Sequence, residues 1–116
     1  MILGGHLKVY VARERIDLRK SYQGLSLWVQ EIFSLDPLSG HLFVFFNKRL
    51  DKVKVLYWDT DGLCLWQKRL ERGRFRIRSF QSVYWSMSFQ DFHLLLAGID
   101  LTKRSPRPDF RGRVVG

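Results

Sequence analysis

Between Gly40 and Arg78 the chain is a succession of short apolar runs separated by polar turns. This periodicity restricts the fold more than any other feature. Lys52-Val53-Lys54-Val55 alternates strictly, which in a strand sends the valines to one face and the lysines to the other. Arg74-Phe75-Arg76-Ile77-Arg78 alternates in the same way, two apolar residues against three arginines. Asp59-Thr60-Asp61-Gly62 and Glu71-Arg72-Gly73 interrupt the runs with residues suited to turns, Gly62 accepting a positive φ at no steric cost. The pattern predicts strands near 41–46, 52–58, 63–69 and 74–78, forming an antiparallel meander with one apolar and one basic face.

Upstream, Leu7-Lys8-Val9-Tyr10-Val11-Ala12 is rich in β-formers and reads as a first strand. Asp17 is placed to cap a helical turn. Leu18, Tyr22, Leu25, Val29, Ile32 and Phe33 then recur at the spacing of one buried helical face, predicting a main helix over roughly 22–34. Gly24 falls inside that pattern, where a break between the capping turn and the helix is expected. Asp36-Pro37-Leu38-Ser39-Gly40 is a turn by composition. Downstream, Ser88 with Asp91 resembles a capping box, and Phe89, Phe92, Leu95 and Leu96 fit a short helix near 88–97 stopped by Gly98. The segment 79–87 shows no clear period.

The expected fold is therefore α+β: an antiparallel sheet of about five strands packed on one main helix, with a second short C-terminal helix. It forms a single domain over 1–101, which suits a chain of 116 residues with 46% hydrophobic content. A basic tail with proline and glycine follows over 102–116.

The formal net charge of +9 favours an anionic partner, most often nucleic acid. Residues 41–78 concentrate it, with ten Lys or Arg against four acids. Lys52, Lys54, Lys68, Arg69, Arg72, Arg74, Arg76 and Arg78 are the candidate phosphate contacts, because regularly spaced cations on a rigid sheet can neutralise several phosphates together. Trp58 and Trp66 are the candidate contacts for a protein partner.

Catalytic chemistry finds little support. Cys64 is the single cysteine and sits between two leucines, and His6, His41 and His93 stand apart from it and from one another. Asp59 and Asp61 flank a tight turn, where carboxylates usually serve their own backbone amides rather than a nuclease metal. No metal, cofactor or small-molecule substrate is expected. No apolar run approaches the ~20 residues of a membrane span, and the start lacks a signal-peptide pattern, so a cytoplasmic protein is expected.

Two stretches resemble a known family. Asp17-Leu18-Arg19-Lys20-Ser21-Tyr22-Gln23-Gly24-Leu25 resembles its DMRK-x-F-x-GL signature. The run from Ser39-Gly40-His41 through the WD-x-DG turn at Trp58–Gly62 to Lys68-Arg69-Leu70-Glu71-Arg72-Gly73-Arg74-Phe75 resembles its long second block. The family is the small accessory, TnpB-type protein encoded by the second open reading frame of bacterial insertion sequences of the sixty-six type. Thr60 stands where the turn usually has Gly, and Ser21 takes a place often held by Gly. The segment after Ile77 also departs from the family's tryptophan-proline ending. The resemblance implies a non-catalytic role in DNA transposition, beside a separate large transposase that carries the DNA-cutting acids. Transposon-end DNA and that transposase are the partners it implies, in a nucleoid-associated setting. A protein-interaction adapter docking through an aromatic patch around Trp58 and Trp66 is the alternative.

Overall fold

The computed structural model describes residues 7–98. These form a five-stranded sheet with strands β1 (Lys8–Ala12), β2 (Leu42–Phe46), β3 (Lys52–Asp59), β4 (Gly62–Arg69) and β5 (Tyr84–Ser88). The helix α1 (Tyr22–Trp28) continues as a π-helical turn over Val29–Phe33, and α2 (Phe89–Leu96) follows β5. The α+β class, the strand number and both helices agree with the expectation. Residues 99–116, and with them the basic tail, lie outside the described residues.

The spatial order is β4-β3-β2-β1-β5. The sheet is mixed rather than wholly antiparallel: β1 runs parallel to β2, with Val9 opposite Leu42 and Val11 opposite Val44. Parallel neighbours need a crossover, and α1 supplies it. Because both sheet faces are covered, β2 (Leu-Phe-Val-Phe-Phe) is buried along its whole length instead of alternating.

Each face has its own core. Under α1, Leu25, Val29 and Phe33 meet Phe43, Phe45 and Leu56, with Phe33 stacked on Phe45 at 5.9 Å between ring centres. On the other face Val9, Val11, Val44, Phe46, Val53 and Val55 are covered by Phe92 and Leu95 of α2 and by Phe75. Phe43, Phe45 and Phe46 are fully buried, each contributing about 1.5–3 kcal/mol through removal from water. The Ser88 hydroxyl accepts the Asp91 amide and caps α2 as expected. The helix α1 runs through Gly24 without a break and stops at Ser34, whose φ of 57° is left-handed.

The expected strand at 74–78 is corrected: that segment is irregular, and β5 at 84–88, antiparallel to β1, is the fifth strand. The alternation was nevertheless real. The segment lies against the core, with Phe75 buried, Ile77 packed on the same cluster, and Arg74, Arg76 and Arg78 exposed. A chain can place alternate residues inward against a core without pairing to a neighbouring strand.

Candidate nucleic-acid interface

The hairpin β3–β4 sets the geometry of the basic residues. Its two-residue loop pairs Asp59 with Gly62, and the register then runs unbroken to Lys52 opposite Arg69. Lys52, Lys54, Gln67 and Arg69 therefore share the α1 face, whereas Lys68, opposite Val53, points to the other. The helix α1 covers only Leu56, Leu63 and Leu65 of this hairpin, leaving the lysines beyond its start. There the incoming segment 16–20 rises beside the sheet, and Lys54 Nζ donates to the Lys20 carbonyl at 2.9 Å.

Between that segment and the sheet end lies a groove of about 760 Å³. One wall is Ile16–Arg19, a second is the β2–β3 loop at Asn47, Lys48 and Arg49, and the floor is Lys52, Val53, Lys54, Gln67, Lys68 and Arg69. Among the described residues seven Lys or Arg and one carboxylate, Asp17, line it. These cations border the groove from three sides and give it a positive field, although the Lys68 side chain projects to the other face of the sheet.

Local hydrogen bonds hold the walls. Asp17 accepts the Arg19 amide at 3.0 Å and Arg19 Nε at 2.8 Å. Those side-chain bonds from Arg19 bring the Asp17 carboxyl down to about 2 and raise the Arg19 guanidinium in turn. Across the groove, Asn47 ties its loop to Asp51 and Lys52. The Asn47 side chain, with Arg49 nearby, holds the Asp51 carboxyl below its usual range. Leu50 in this loop has a φ of 59°, and its carbonyl accepts the Phe75 amide at 2.7 Å.

Of the eight expected cations, Lys52, Lys54 and Arg69 come together on the groove side of the sheet, while Lys68 adjoins the lining but points to the other face. Arg72, Arg74, Arg76 and Arg78 are exposed on the irregular segment, outside the groove lining. Arg78 lies over the Trp85 ring at 5.1 Å. Sequence reasoning missed Arg19, Lys48 and Arg49, although the basic loop Asn47-Lys48-Arg49 and the Asp17-Leu18-Arg19-Lys20 signature were the available signals. Trp58 pairs with Leu63 and Trp66 with Val55, so the two indoles occupy opposite faces and form no common patch.

Among the described residues no group of three His, Cys, Asp or Glu side chains could hold a metal ion, and no helix is long and apolar enough to cross a membrane. Asp59 lies at the hairpin turn, where its carboxylate accepts the Thr60 hydroxyl at 3.3 Å.

The fold and the groove define a small α+β protein with a concave, cation-lined surface. Residues 7–106 match the model of the IS66 Orf2-like proteins, and the chain belongs to that family. This places it among proteins of insertion sequences and their transposition. It is 38% identical over 113 residues to the uncharacterized protein y4hO of Sinorhizobium fredii, covering 97% of this chain and 96% of that protein. It is 36% identical over 102 residues to y4jC, also uncharacterized, of the same organism, covering 88% and 87%. No solved structure matches the chain.

Proposed function

We propose that this protein is a non-catalytic accessory factor of transposition that binds DNA through the groove and assists a separate large transposase. The observation that carries this reading is the ring of Lys and Arg that borders one concavity, with a single carboxylate among its lining residues. Phosphates are the ligands such a ring suits, because each neutralised phosphate releases condensed counterions. Stacking of unpaired bases is a poor match, since no aromatic side chain lines the groove. Binding through the groove is thus chiefly to the phosphate backbone. Family membership supplies the biological setting.

Fluorescence anisotropy of a duplex from the element's end against a scrambled duplex, across a salt series, tests the proposal. Affinity for both should fall steeply with salt. Absence of binding at low salt would remove the DNA-binding claim.

A further inference from the structure

We infer that the outer edge of β4 pairs antiparallel with the same edge of a second copy of this chain, making one ten-stranded sheet. This does not rest on the nucleic-acid reading. Among the described residues β4 has a neighbour, β3, on one side only. Its eight residues pair with β3 in continuous register, with no bulge, and contain no proline. Leu63, Cys64, Leu65 and Trp66 make four of its first five residues apolar, and Trp66 is 41% exposed. A long, regular edge with an apolar stretch is the surface that proteins ordinarily cover or block. Here blocking charges stand only at the far end, as Lys68 and Arg69.

The charge along this edge identifies the occupant. The turn that opens β4 carries Asp59 and Asp61, and no Lys or Arg occurs between Lys54 and Lys68. The strand closes on Lys68 and Arg69, followed by Glu71 and Arg72. Glu71 holds Arg69 at 3.5 Å, but the closing end stays net positive. One end of the edge is therefore acidic and the other basic. A strand with that polarity complements its own copy when the two run antiparallel and opposes it when they run parallel. Side chains directly opposite must share a face, which restricts the register. With the two-fold axis at Leu65, Cys64 faces Trp66 of the other copy and Asp61 faces Arg69, each twice. A single strand pair is a small interface, so a reversible monomer–dimer equilibrium is expected.

The test is sedimentation equilibrium at physiological salt on the full chain, with Asp61→Lys and Arg69→Glu prepared separately. Both sites are exposed, and far-UV circular dichroism establishes that each variant is folded. The wild type should dimerise, and each variant alone should lose at least about tenfold in self-association through like-charge contacts. An equimolar mixture should recover the dimer, because each variant then meets the opposite charge at both contacts. A monomeric wild type, single variants that still dimerise, or a mixture that stays monomeric would each overturn the inference. Trp66→Cys gives a second readout: on oxidation it should cross-link to Cys64 of the other copy in this register. A wild type that dimerises while this variant gives no cross-linked dimer rejects the axis at Leu65.

Discussion

Asn47 and Asp51 close the β2–β3 loop on itself. Asn47 Nδ2 donates to Asp51 Oδ1 at 2.6 Å, while Asn47 Oδ1 accepts the amides of Asp51 and Lys52 at 3.1 and 3.0 Å. One side chain thus fixes the arc that carries Lys48 and Arg49 into the groove. The ion pair beside it, Arg49 to Asp51, is long at 3.9 Å with its Arg49 end in solvent, and adds little.

Replacing Asn47 by Ala removes all three bonds at once. The loss should cost about 1–2 kcal/mol of stability, read as a fall in Tm of several degrees. DNA affinity should fall as well, measured well below the new Tm, because Lys48 and Arg49 are no longer held in place. Unchanged affinity in a destabilised Asn47→Ala protein would show that the loop needs no such restraint.

The Thr60 backbone invites the opposite experiment. Thr60 is the first residue of the β3–β4 loop and has a φ of 56°, a region costly for a β-branched residue and free for glycine. The left-handed conformation costs roughly 1–2 kcal/mol, and the added freedom of glycine in the unfolded chain returns about 0.4–1 of the gain. Thr60→Gly should therefore stabilise the protein by about 0.5–1 kcal/mol, raising Tm by a few degrees. A lower Tm would mean that the Thr60 hydroxyl, 3.3 Å from Asp59, outweighs the backbone strain.

Much of this architecture was legible in the residues, and the omissions have physical causes. Alternation at Lys52–Val55 and the helical stripe through Leu25, Val29 and Phe33 each report a single buried face, which period alone reveals. The run Leu42–Phe46 is buried on both faces, so it carries no alternation to betray a parallel neighbour. The strand at Tyr84–Ser88 puts Tyr84 under α1 and Trp85 on the opposite core, so aromatic residues on both faces erase its period. The split of the cations was recoverable. A two-residue loop at Thr60-Asp61 pairs Lys52 with Arg69, which leaves Lys68 across the sheet from both. The place of Arg19 was harder to read: the Asp17-Leu18-Arg19-Lys20 signature marks the residue, but only the tertiary crossover brings it beside Lys48 and Arg49.

Asp17 makes a prediction in the acid range. Its carboxyl titrates at about 2 in the folded protein, below its ordinary 3.8, chiefly through the hydrogen bonds from Arg19. A depressed value stabilises the fold fully above the unfolded pKa of about 4, and the benefit fades as pH falls toward the folded value. Asp17→Asn should therefore flatten the decline of Tm on acidification through that window, leaving the smaller contribution of Asp51 in place. Because Asp17 is exposed, the side-chain carboxyl chemical shift is the more direct readout. A titration midpoint near the ordinary value would show that Arg19 does not hold it in solution.

The groove and the irregular segment can be separated by moving equal charge at each. Lys48→Glu with Lys52→Glu acts on one groove wall and its floor, whereas Arg74→Glu with Arg76→Glu acts on exposed arginines outside the lining. Both pairs lower the net charge by the same amount, so any general attraction of a cationic protein for DNA weakens equally. If phosphates sit in the groove, the first pair should cost at least about tenfold in affinity. It should also flatten the slope of log affinity against log salt by roughly 2, since each lost contact removes about 0.9. The second pair should shift affinity by less and leave the slope nearly intact. Equal losses would assign binding to overall charge, and a larger loss from Arg74 and Arg76 would move the interface to the segment after β4.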